Sequence, residues 1–249
     1  MSKNNVRLMA HLVAGFPDKN GFLQALQALK DGGADTLELQ IPFSDPTADG
    51  PAITYANEEA IRNGFHVAQI FDYIKHAKNI GFERIVVMTY ANIPFVYGIK
   101  KYVQDMKNAG VSAILAPDLP IEDEENFYQS AFDTGIDPMP VAVINMSEER
   151  IKLLKQKPFK KIYIAIRAGI TGKQTALDPN LKLFFEKFTG YELYAGFGIK
   201  TPEQIKELST YADVLVVGSY FTETIINAVK QKTDIYAEVK AAISYLLKN

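Results

Sequence analysis

The stretch Thr36-Leu37-Glu38-Leu39-Gln40-Ile41, running on into Pro42-Phe43-Ser44-Asp45-Pro46-Thr47-Ala48-Asp49-Gly50-Pro51, is the unit from which both fold and chemistry are read. Successive side chains of a strand point to opposite faces. Leu37, Leu39 and Ile41 therefore form one apolar face, suited to packing on a layer of helices, and Glu38 and Gln40 point the other way. The flanking residues read as buried, as in a parallel sheet covered on both faces, rather than as an edge strand with Glu38 in water.

Outward from this strand the same unit repeats. Apolar runs occur at Leu8–Ala14, Thr36–Ile41, Arg84–Tyr90, Ser112–Pro117, Pro138–Ile144, Lys161–Ile166, Glu192–Ala195 and Asp213–Val217. Most end in a loop rich in Gly, Pro, Asp or Asn, and helical periodicity follows. The helical stretches include Gly21–Asp31, Val67–Asn79, Lys101–Asn108, Asp123–Thr134, Glu148–Gln156, Pro179–Phe188, Pro202–Thr210 and a closing Ile235–Leu247. Thr201-Pro202-Glu203-Gln204 has the residues of a capped helix start. Parallel strands need crossover connections, so strict alternation implies a parallel α/β sheet. Eight such units in 249 residues predict one domain, residues 1–249, folded as a (β/α)8 TIM barrel with extra short helices. An open doubly wound sheet is the alternative from pattern alone.

Composition excludes several classes of function. A formal net charge of -2 supplies no basic footprint for nucleic acid or an anionic membrane. The densest charge run, Glu122-Asp123-Glu124-Glu125, falls where a helix should begin and complements its dipole. The absence of cysteine removes disulfides, thiolate metal sites and a Cys nucleophile, and suits a cytoplasmic protein. The apolar run Leu8–Phe16 is too short to span a bilayer and lacks a signal-peptide pattern. His11, His66 and His76, spread over separate elements, make neither a metal site nor a histidine-based triad.

In a barrel, active sites lie at the carboxyl ends of the strands. A carboxylate inside a barrel is costly unless paired, hydrogen-bonded or protonated, which makes Glu38 a candidate acid or base. The loop after it is stiffened by three prolines and carries Asp45 and Asp49. A second carboxylate opposite a strand-borne one is a recurring way to divide acid and base roles, although loop Asp side chains also serve as plain turn residues. At the far side of the barrel, three glycine loops follow strands: Arg167-Ala168-Gly169-Ile170-Thr171-Gly172, Gly196-Phe197-Gly198-Ile199 and Gly218-Ser219. Loops after the last two barrel strands, with a helix amino terminus, commonly bind phosphate.

The segment Leu37–Pro51 closely resembles the signature of tryptophan synthase α-subunits, Leu-Glu-Leu-Gly-(Ile/Val)-Pro-Phe-Ser-Asp-Pro-(any)-Ala-Asp-Gly-Pro. Leu12–Asp18, Met88–Asn92 with Tyr97-Gly98, and Pro117–Pro120 with Glu122 resemble other parts of that family, so the likeness covers almost the whole chain. It implies retro-aldol cleavage of indole-3-glycerol phosphate to indole and glyceraldehyde 3-phosphate, with Glu38 and Asp49 as the catalytic pair. It implies that Gly172, Gly198, Gly218 and Ser219 hold the phosphate. It also implies that Tyr163 lines the site, and that Thr171 in the loop Gly169–Asn180 meets the catalytic Asp when the loop closes. Tyr163 read without the resemblance is an ordinary core aromatic.

The resemblance further implies no cofactor in this chain and docking on a tryptophan synthase β-subunit, in an α2β2 assembly, that carries pyridoxal phosphate and receives the indole. Residues near Asp45–Thr54 and Asp118–Pro120 would face that partner. Three positions depart from the family pattern. Gln40 stands where the family usually has Gly, and an inward Gln40 narrows the indole pocket or adds a hydrogen-bonding group. Thr47 stands where Leu is frequent. The segment before the first strand is short, so the helix that covers the barrel's bottom is expected to be missing or frayed. The rival functions are another phosphate-binding barrel enzyme, acting on an aminated sugar phosphate, and a catalytically weak activating subunit.

Overall fold

Parallel hydrogen bonding runs through β1 (Arg7–Val13), β2 (Thr36–Gln40), β3 (Arg84–Met88), β4 (Ala113–Leu115), β5 (Asp137–Met139), β6 (Val141–Val143), β7 (Lys161–Ala165), β8 (Glu192–Gly196) and β9 (Val214–Val217). The computed structural model describes residues 7–166, 181–196 and 198–248. The sheet order is β5-β4-β3-β2-β1-β9-β8-β7-β6. Its two ends, β5 and β6, are halves of one strand separated only by Pro140. Proline has no amide to give to a ladder, so the hydrogen-bonded strand breaks there. The Pro140 carbonyl still accepts from Tyr163 N at 3.0 Å. The strand that ends the sheet on one side thus begins it on the other, and the cylinder closes. The eight expected strands are present, the fifth in two pieces, and the open-sheet alternative falls.

Around the cylinder lie α1 (Lys19–Asp31), α2 (Pro51–Arg62), α3 (Ile70–Asn79), α4 (Asn92–Tyr97), α5 (Ile99–Asn108), α6 (Phe127–Thr134), α7 (Glu148–Gln156), α8 (Leu181–Glu186), α9 (Pro202–Leu208), α10 (Ser219–Gln231) and α11 (Ile235–Leu246). The short α4 and a 3₁₀ turn at Val67–Gln69 are extra elements. The expected helix at Asp123 starts later, at Phe127. Asp123 adopts φ 45°, and its carboxylate accepts from Phe127 N (3.0 Å) and Tyr128 N (2.6 Å), so it caps the helix from outside. Of the expected Pro179–Phe188 helix, α8 covers the middle. The helix expected to be missing before the first strand lies outside the described residues.

Two cores result from the strand alternation. Leu8, Leu12, Leu37, Leu39 and Ile41 pack outward against the helices. Met9, Val86, Met88, Leu115, Tyr194 and Val216 fill the cylinder. The amino-terminal mouth is closed by charge: Arg7 pairs with Glu192, and Lys161 pairs with Asp137 and, at 3.7 Å, with Glu192. Each of these residues starts a strand, so strand register alone gathers them. The opposite mouth carries the site.

Candidate active site

Register sets Glu38 on β2 beside His11 on β1 and Val86 on β3. Both Glu38 and His11 face the interior and are buried. Asp49 approaches from the loop. Pro46 O accepts from Asp49 N at 2.9 Å, closing a turn, and Gly50 with Pro51 then starts α2.

Asp49 is held by neutral donors. Gln40 Nε2 donates to Asp49 Oδ2 at 2.6 Å, and the Tyr90 hydroxyl donates to the same oxygen at 3.0 Å. That hydroxyl also accepts from Ala48 N at 3.1 Å, and Phe43 stacks on the Tyr90 ring at 5.1 Å. One tyrosine thereby fixes the loop and the carboxylate together. Asn57 on α2 completes the support. Its Oδ1 accepts from Phe43 N (2.9 Å) and from Gln40 Nε2 (3.3 Å), while its Nδ2 donates to Ile53 O (2.8 Å).

These surroundings separate two chemically identical groups. Burial, reinforced by the negative charge of Asp49, pushes the Glu38 carboxyl up to about 8. Burial also raises Asp49, but the hydrogen bonds from Gln40 and Tyr90 favour its charged form and leave it at about 6. At neutral pH the pair is one neutral acid and one carboxylate. His11 is pushed down to about 4 by burial and is therefore neutral.

One cleft is lined by Glu38, Asp49, Tyr163, Gly198, Gly218 and Ser219. The structure thus brings six of the expected residues to one place; Thr171 and Gly172 lie outside the described residues. Tyr163, on β7, is buried, and its hydroxyl is pushed up by burial and by the facing carboxylates. A Cβ at Gly196 would run into that hydroxyl, so glycine there makes room for the ring. Gly198 takes φ +88°, a conformation that favours glycine. Gly218 and Ser219 start α10, where first-turn amides have no partner within the helix and attract anions. Nearby, Lys200 is engaged by Glu223 at 2.7 Å.

The sequence reading missed His11, Gln40's partners, Tyr90, Asn57 and the whole of α2. Helix α2 had its signals: Pro51 in the first turn, with Ile53, Ala56 and Ala60 on one face. An asparagine inside that buried face was the one hint of a polar tether. Gln40 is fully buried and adds a hydrogen-bonding group behind Asp49; it does not narrow the cleft.

Among the described residues, no group of three or more His, Cys, Asp or Glu is placed to hold a metal ion, and no helix is long and apolar enough to cross a membrane. Comparison with known proteins identifies the family. A family model described as "Tryptophan synthase alpha chain" matches residues 1–248. The tryptophan synthase alpha chain of Desulfotalea psychrophila is 36% identical over 86% of this chain and 86% of its own length. That of Helicobacter hepaticus is 37% identical over 88% and 85%. The solved tryptophan synthase a2b2 complex of Pyrococcus furiosus contains a chain 29% identical to this one, with a TM-score of 0.85 and 97% of each covered. On this likeness along nearly its full length, the chain belongs to the tryptophan synthase alpha chain family.

Proposed function

We propose that Glu38 and Asp49 carry the reaction of this family in this chain. The chain is a carbon–carbon lyase that cleaves indole-3-glycerol phosphate to indole and glyceraldehyde 3-phosphate, a step of L-tryptophan biosynthesis. The observation that carries the residue assignment is the opposed state of the two carboxyl groups at one cleft.

Glu38, neutral at the outset, gives its proton to C3 of the indole ring. The ring nitrogen becomes positive, and Asp49, kept ionised by Gln40 and Tyr90, accepts the ring N–H and stabilises that charge. The Glu38 carboxylate then takes the proton of the adjacent chain hydroxyl. The oxygen lone pair forms the aldehyde, the C–C bond breaks, and its electrons restore the indole. Glu38 ends protonated, as it began. Gly198, Gly218 and Ser219, together with Gly172, hold the phosphate, Thr171 meets Asp49, and Tyr163 lines the site.

The chain uses no cofactor of its own and works in the cytoplasm as one domain, residues 1–249. Its partner is the tryptophan synthase β-subunit, in an α2β2 assembly like that of the Pyrococcus furiosus relative, which takes the indole to its pyridoxal phosphate. The docking face includes Asp45–Thr54 and Asp118–Pro120. The Asp118 carboxylate accepts from Ala91 N (3.0 Å) at the start of α4, and the same helix exposes Val96.

The deciding experiment measures indole release from indole-3-glycerol phosphate, with and without a β-subunit, for wild type and Glu38→Gln. Wild-type release that rises with the β-subunit and falls by about 100-fold or more in the variant is expected. Turnover within about tenfold of wild type overturns the role of Glu38. No release by folded wild type under either condition favours the activating-subunit reading or a different phosphorylated substrate.

A further inference from the structure

Behind the carboxylate pair lies a polar chain whose directions are fixed. Asn57 Nδ2 donates to a backbone carbonyl, so its Oδ1 accepts and Gln40 must turn its Nε2 toward it. The same Nε2 faces Asp49 Oδ2. Two independent partners thus orient the Gln40 amide, and its oxygen meets His11 Nε2 at 2.7 Å. An amide oxygen only accepts, so the proton of the neutral imidazole is on Nε2. Nδ1 is left as a lone pair. It is buried and has no hydrogen-bond partner among the described residues. His11 lines the cleft, and a Cβ added at Gly218 would stand 3.3 Å from Nδ1, so glycine keeps that nitrogen within reach of a ligand.

We propose that His11 is a further substrate-contacting residue: its Nδ1 accepts a hydrogen bond from a hydroxyl on the chain linking ring and phosphate. This rests on the substrate reading above. A phosphate dianion has no proton to offer, and the ring N–H belongs to Asp49. The linking chain has two hydroxyls. The one beside the ring gives its proton to Glu38, and the second needs an acceptor between Glu38 and the Gly218 loop, where His11 stands. Gln40 is then a positioning residue that serves both ends of the ligand, holding Asp49 with its nitrogen and setting the His11 tautomer with its oxygen.

The test compares indole-3-glycerol phosphate with indole-3-propanol phosphate, which keeps ring and phosphate but lacks both hydroxyls. Dissociation constants are measured for Glu38→Gln, whose slowed turnover should preserve the substrate during titration, and for Glu38→Gln with His11→Phe. His11→Phe should weaken the hydroxylated ligand about tenfold and leave the other unchanged. Equal weakening of both, or of neither, overturns the His11 assignment alone. Failure of both ligands to bind the Glu38→Gln protein overturns the substrate reading, and the assignment with it. A second measurement needs no substitution at His11. Nitrogen-15 spectra of the imidazole should show an unprotonated Nδ1 whose resonance moves with indole-3-glycerol phosphate and not with the propanol analogue. A proton found on Nδ1 overturns the proposal.

Discussion

Both mouths of this barrel hold charged side chains in a narrow ring of strand ends, and they treat them in opposite ways. At the amino-terminal mouth two carboxylates are paired with cations: Asp137 has Lys161, and Glu192 has Arg7 and Lys161. At the carboxyl-terminal mouth Glu38 and Asp49 have no cation among the described residues, and Asp49 is held by the neutral donors of Gln40 and Tyr90. Pairing keeps a carboxylate ionised and inert. Burial with neutral partners leaves it close to its protonation boundary, where it can trade protons with a substrate. On the proposed function, the lower ring is built for standing and the upper pair for reacting.

The strongest way to break this contrast is by pH. If the upper pair acts as one acid and one carboxylate, kcat/KM of the free enzyme should be bell-shaped. It should fall about tenfold per unit below about 6, as Asp49 gains a proton, and above about 8, as Glu38 loses its own. A flat profile across that window would mean that neither group is protonically engaged.

Stability should move in opposite directions at the two mouths. The Glu38 carboxyl is raised in the folded chain above its ordinary 4.5, so its contribution is whole below that value and is lost progressively as pH rises to about 8. Glu38→Gln removes this loss. Its melting temperature should exceed wild type by a margin that widens from pH 5 to pH 8, about 2–4 °C for each kcal/mol recovered. Asp137→Asn, in a half-buried pair, should instead cost about 1 kcal/mol and leave turnover within about twofold. A destabilised Glu38→Gln would erase the distinction.

The smallest effect refines the upper mouth. Tyr90→Phe removes one of the two side-chain donors that keep Asp49 ionised. The acid limb of the pH profile should move upward by roughly half a unit, with the basic limb unmoved. Movement of both limbs would show that Tyr90 supports the whole loop rather than the carboxylate.

Where residues alternate strictly along a strand, their placement was legible beforehand. Leu37, Leu39 and Ile41 face the helices, and Glu38 and Gln40 face inward, as read. The glycine and serine of the far loops meet the carboxylates at one cleft because strand ends in a barrel have nowhere else to converge. Tethers between distant segments were not legible. Nothing near Asn57 in the chain says that it will bond Phe43, and nothing near His11 announces Gln40. Such pairings depend on register and on the packing of α2, which local pattern does not carry. The break at Pro140 was open to inference, since proline has no amide for a ladder, but its place in the closure of the sheet emerges only from the pairing order.

That break has a consequence for how the molecule opens. Pro140 is the single residue by which β5 and β6 join the two ends of the sheet. A cylinder that opens by losing the β4–β5 or β6–β7 ladder beside this seam becomes a ribbon with β2, β1 and β9 near its middle, the strands that bear Glu38 and His11 and lead into Gly218. Amide hydrogens of β5 and β6 should then exchange through shallow openings that leave those three strands sealed. The chain thus sets the joint of its hoop opposite the strands that carry its carboxylate and histidine, and breathing at the joint reaches the cleft only through Val141, Tyr163 and Leu115.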